Sequence, residues 1–185
     1  MRLRFVCTIV LALVAPAAFA EPIAAQRPGA AAAVDSAMAP LAWLVGEWEG
    51  TGTMQTRTGA EVASVHEKVE GRLGGRVLVI EGIGREPSAD RSGRVVHHAF
   101  GVLSYDPENK RHLFRAFRDG GVVEAETRLA DGVFTWEIAV PGGRSRYQIR
   151  RDGEEWLETG EYSTDGSTWR KFFEMRLRRV APASQ

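Results

Sequence analysis

The chain has a single cysteine, Cys7, in 185 residues, and it lies inside an apolar N-terminal run. One thiol forms no internal disulfide and no thiolate cluster for a metal, so stability has to come from packing. Charge of one sign is also missing, with 24 Lys and Arg against 24 Asp and Glu. That balance implies neither a nucleic-acid partner nor an anionic membrane surface. No apolar stretch is long enough for an integral membrane span. There is no G-x-S-x-G elbow, phosphate loop, Cys-x-x-Cys pair, H-x-H or H-E-x-x-H spacing, so no enzymatic chemistry, metal or cofactor has a motif behind it.

What is present begins with "MRLRFVCTIVLALVAPAAFAEP", where Arg2 and Arg4 precede an apolar run that ends in Ala18-Phe19-Ala20. This pattern predicts a secretory signal peptide over residues 1–20 and export across the inner membrane, most simply to the periplasm. Cleavage there removes Cys7. Residues 21–38, with Pro, Gly and an alanine run but no apolar periodicity, read as a flexible spacer. From Pro40, "PLAWLV" allows a turn or two of helix before Gly46. The folded domain is expected over 39–180, followed by a tail at 181–185.

Beyond Gly46 turn signals recur at 57–60, 73–75, 86–93, 106–109, 119–121, 131–132, 141–143, 152–153 and 165–166. Nine turns separate ten strands. Several are Asp-Gly pairs, which supply the positive φ angles of tight hairpins, so neighbouring strands should be antiparallel. Phe134, Trp136, Ile138 and Val140 share one strand face, and Trp169, Phe173, Met175 and Leu177 another, with charged residues between them. An all-β, ten-stranded up-and-down barrel buries such faces and leaves no open edge.

"WLVGEWEGTGTM", "LGGRVLVIEGIG", "GVLSYDPENKR" and "EYSTDGSTWRKFFEMRLRRV" together resemble the calycin superfamily of lipocalins, fatty-acid-binding proteins and nitrobindins. More closely they resemble a bacterial family of calycin-like domains of unknown function, over residues 40–180. The resemblance implies that Trp48 of the G-x-W motif closes one barrel end under a basic side chain from the last strand. Arg176, Arg178 and Arg179 are available, with Arg178 taken as the partner, and Gly46 and Gly50 give the strand room to bend. Nitrobindins hold haem through a late histidine. The last histidine here is His112, so the resemblance carries over no haem site.

Inside the expected barrel, His97, Phe114, Trp136, Tyr147 and Met175 are candidate ligand-lining residues. Glu81, apolar on both sides in "RVLVIEGIG", is the candidate polar anchor. His97 and His98 are adjacent on a strand and must face opposite ways. The pairs Glu47 with Glu49 and Glu124 with Glu126, and the arginines of "GGRSRYQIRR" at 142–151, suit a solvated outer face. Three readings follow: a secreted non-catalytic barrel holding a small apolar or amphipathic ligand; an envelope structural or protein-interaction module with a filled barrel; or an enzyme using Glu81 and an interior histidine.

Overall fold

The computed structural model describes residues 28–90 and 92–181. The expected signal peptide lies outside the described residues, as do residues 21–27 and 182–185. Ten antiparallel strands form a closed barrel: β1 (Gly46–Thr56), β2 (Gly59–Arg72), β3 (Val77–Arg85), β4 (Val95–Asp106), β5 (Arg111–Arg118), β6 (Gly121–Ala130), β7 (Val133–Val140), β8 (Gly143–Asp152), β9 (Glu155–Ser163) and β10 (Arg170–Arg179). Each strand pairs with its neighbours in sequence, and β1 pairs with β10 to close the ring. Each of the nine turn signals falls between consecutive strands. At Asp119-Gly120 and Asp131-Gly132 both residues have positive φ, 51° and 78° in the first and 53° and 75° in the second. Those angles are the mirror-image turn that matches the twist of a hairpin.

One expectation for the N-terminal segment is corrected. Pro28–Met38 is an α-helix, α1, running into a 3-10 segment at Ala39–Leu44, where the sequence reading had a flexible spacer. Alanine has the highest helix propensity and Pro28 sits at the helix start, while tertiary contacts hold the helix in place. Arg76 Nε is 2.7 Å from Asp35 Oδ1, and His112 Nε2 donates to the Ala37 carbonyl at 3.1 Å. Met38, Leu41 and Leu44 are buried. They insert beneath the barrel and close that end.

Trp48 is the centre of the closure. It is 2% exposed, edge-on to Trp43 at 5.8 Å and to Trp156 at 5.9 Å, and its indole N–H donates to the Leu44 carbonyl at 2.7 Å. The cation above it is Arg179, with its guanidinium carbon 4.3 Å from the ring centroid. Arg178, the partner taken from the sequence, points outward to Glu155 at 2.8 Å. Strand parity decides this: Met175, Leu177 and Arg179 share the inner face, and Arg178 cannot. Arg179 also donates to the carbonyls of Val45 and Trp43, at 2.5 and 2.6 Å. Gly46 has φ of 136°, and a Cβ there would collide with the Arg179 guanidinium. A Cβ at Gly50 would meet the Arg176 carbonyl across the β1–β10 seam.

A second correction concerns Trp169. The register shifts between Lys171 and Phe173, so Trp169 leaves the inner row and lies outside beneath Arg146, whose guanidinium carbon is 4.0 Å from the ring centroid.

Candidate functional site

Alternation along the strands sorts the lumen into levels. At the closed end, Trp48, Val69, Leu78, Leu103, Phe134, Ile149, Trp156 and Leu177 are all buried. One level up, Phe114 and Met175 are buried, while Ile80, Trp136 and Tyr147 are half-buried. Toward the open end the inward positions become small: Gly52, Ala63, Gly84, Ala99, Ala116, Ser145 and Gly160. The wall residues beside them, Val65, Ile138 and Phe173, face inward yet keep part of their surface accessible. Large side chains fill the closed half of the barrel; in the other half Phe173 lies over Gly52, and Phe172, Phe173 and Tyr147 lie over Gly160, while the walls between them keep some accessible surface.

Two carboxyls occupy the middle of this interior. Glu67 alternates with Val65 and Val69 on the inner face of β2, and Glu158 follows Trp156 on the inner face of β9. They are 9% and 8% exposed. Glu67 lies over Gly82 of β3, its cross-strand partner, where any Cβ would overlap the carboxyl group. Burial pushes Glu158 up to about 7. The indole N–H groups of Trp136 and Trp156 act in the opposite sense on Glu158, although neither closes a hydrogen bond of normal geometry. Burial, and then the charge of Glu158, push Glu67 up to about 8. Each charge opposes the other's ionisation, so the pair as a whole holds protons above the ordinary carboxylate range. Among the described residues, neither carboxyl has a cationic partner.

The residues anticipated from sequence divide as follows. Phe114, Trp136 and Tyr147 come together as an aromatic wall: Phe114 meets Trp136 edge-on at 5.2 Å, and Trp136 stacks on Tyr147 at 4.0 Å with an 11° interplanar angle. Burial and the charge of Glu158 push the Tyr147 hydroxyl up to about 12. Met175 pairs with Glu158 across β9 and β10. His97 faces inward but stands apart, near the open end, where its Cβ would be 3.1 Å from a Cβ added at Gly84. Burial and the nearby Arg118 charge lower its pKa. Glu81 is corrected: it lies on the outer face, exposed, with Oε1 2.9 Å from Nε2 of the equally external His98. The apolar neighbours that suggested burial belong to both faces, because the outside of β3 carries Val77, Val79 and Ile83.

Glu67 and Glu158 were not anticipated, although the signal was available in their parity. Each stands in register with apolar residues on its own strand, in Val65-Glu67-Val69 and in Trp156-Glu158-Gly160. Of the other charged residues considered, Glu124 pairs with Arg115, Glu126 and Glu137 with Arg144, and Glu161 with Arg146, all on the outside. Between β4 and the β5–β6 hairpin, a shallow open groove of about 470 Å³ runs over Phe100, Phe117 and Val122. It opens on the outer face beside the rim of the barrel, where Ala99 and Arg118 also line it, and the Phe100 and Phe117 rings are 6.2 Å apart.

Among the described residues, no helix is long and apolar enough to cross a membrane, and no three His, Cys, Asp or Glu side chains gather as a metal-binding group. No family model matches the chain, and no curated protein sequence matches it. Among solved structures, the chain is similar to the crystal structure of Rv2717c from M. tuberculosis. That match has a TM-score of 0.55 and 16% identity, covering 80% of this chain and 98% of the other. The likeness is one of fold.

Proposed function

We propose that this chain is an exported, non-catalytic, calycin-like barrel that holds a small apolar or amphipathic molecule in its lumen. One observation carries the reading: inward-facing Val65, Ile80, Ala116, Trp136, Ile138 and Phe173 stay partly accessible, while the opposite end is packed shut around Trp48. Interiors normally close to crystal-like density, so a wall of apolar side chains left accessible inside a closed barrel suits a guest. The buried carboxyls and the Tyr147 hydroxyl supply the few polar groups that orient such a guest. The exported location rests on the leader sequence and the calycin-like relationship on the motifs quoted above.

The enzyme reading loses its geometric basis with Glu81 on the outside and paired to His98. A second reading, an envelope interaction module, is favoured by the external apolar groove over Phe100, Phe117 and Val122, which are 41%, 40% and 59% exposed. Nile red titration separates the two. Ala116→Trp fills the lumen and should weaken probe binding by about tenfold or more, the effect of 1.4 kcal/mol, while Phe117→Ala leaves it unchanged. The opposite pattern would move the site to the outer groove.

A further inference from the structure

Glu67 and Glu158 are a costly pair to bury. A carboxylate in an apolar interior normally has a cation or several hydrogen-bond donors, and these two have no cationic partner among the described residues. The arginines on the inward rows lie at the barrel ends, exposed, and are otherwise engaged. Arg179 spends its guanidinium on Trp48 and two backbone carbonyls, and Arg118 at the open end pairs with Asp119 at 3.0 Å. A second observation is independent of the acids. The Nε1 atoms of Trp136 and Trp156 are fully buried donors without an acceptor, Trp156 being 1% exposed, and both act on Glu158. The Glu158 carboxyl is the acceptor they approach, and an ionised carboxylate accepts more strongly than a neutral one. A bound cation would fix Glu158 as a carboxylate and so strengthen the hydrogen bonds it can accept from the indoles. Trp136 stacked on Tyr147 also offers aromatic surface beside the acids, favourable to a positive charge. An anionic head group at this depth would meet two acids, with Arg118 at the open end already paired to Asp119.

From this geometry we propose that the lumen takes an amphipathic cation, an alkyl or aryl amine whose ammonium lies between Glu67 and Glu158 beside Trp136, Trp156 and Tyr147, with its apolar part toward the open half of the barrel. The proposal rests on the reading of the lumen as a binding site. It adds a ligand class and two acidic residues to that reading, and Gly82 becomes a specificity-determining position because it leaves the space that Glu67 fills.

The test compares n-octylamine, 1-octanol and octanoate by calorimetry and by tryptophan fluorescence, in the wild-type protein and in Glu67→Gln and Glu158→Gln, with circular dichroism confirming the fold of each. Octylamine should bind about tenfold or more tighter than either other probe. Each Gln variant should lose most of that preference while its octanol affinity changes little. Octanol or octanoate binding as tightly as octylamine, or a preference unaffected by both variants, would overturn the amine assignment and leave the lumen reading standing. Failure of all three probes to bind folded wild-type protein would overturn both.

Discussion

Replacing Glu67 by glutamine should make the protein more stable at alkaline pH than the wild type. A free glutamate titrates near 4.5, whereas in the fold Glu67 is held up to about 8. The folded state therefore keeps a proton that the unfolded chain has released. Stability from this group is fully present below 4.5, declines as pH rises through the window from 4.5 to 8, and is level above it. At 1.36 kcal/mol per pH unit, the change between pH 5 and pH 9 is on the order of 3 to 4 kcal/mol. Glu67→Gln removes that dependence and keeps the shape over Gly82. Urea unfolding of both proteins at pH 5, 6, 7, 8 and 9 measures it, and differencing cancels the external carboxylates common to both. The two stability curves should diverge progressively with pH, the variant lying higher. Parallel curves would refute the claim that Glu67 is buried without a compensating cation.

Trp48→Ala should destabilise by about 3–5 kcal/mol, the cost of deleting a fully buried ring, as measured by chemical denaturation; an unchanged midpoint would mean that the barrel end is not closed by this residue. Arg179→Met should lose about 2 kcal/mol with its two charge-assisted hydrogen bonds and its cation–π contact, while Arg178→Met leaves the midpoint where it was; equal effects would remove the distinction between the neighbouring arginines. Gly82→Ala should cost about 1–3 kcal/mol by overpacking against Glu67, and much less in a Glu67→Ala background, so a double-mutant cycle showing additivity would separate the two positions.

Strand order and turns were legible because Asp-Gly and Pro-Gly signals act locally: Asp119-Gly120 and Asp131-Gly132 bend the chain by backbone conformation alone. The role of Trp48 was expected from the resemblance of its G-x-W motif and not from local chemistry; the close approaches of Gly46 to Arg179 and of Gly50 to the Arg176 carbonyl supply the physical reason for the glycines. Helix α1 was not legible because its hold on the fold comes from distant residues, Arg76 on Asp35 and His112 on Ala37, which leave no periodic apolar mark. Trp169 was assigned inward because the register shift at 171–173 is invisible to simple alternation. Glu81 misled for another physical reason. The outer face around it is itself apolar, with Val79, Ile83, Phe100 and Val102, so apolar neighbours did not mean interior. Strict counting from Trp156 and Val69 would have found Glu158 and Glu67, and counting from Leu177 would have chosen Arg179 over Arg178.

The lumen joins these strands of the account. Its floor is packed by three tryptophans, a guanidinium and the helical plug; its middle holds two buried acids with no cationic partner among the described residues; its upper wall sets small residues among Val65, Ile138 and Phe173. The central claim is that a guest occupies this space. Crystals grown with 8-bromooctan-1-ol and, separately, 8-bromooctan-1-amine test it directly through the anomalous signal of bromine. The account predicts a bromine site inside the barrel, in the open half lined by Ala116, Ile138 and Phe173, for at least one of the two compounds. Bromine found only in the outer groove over Phe100 and Phe117, or a lumen closed by its own side chains with no bromine in it, would contradict it.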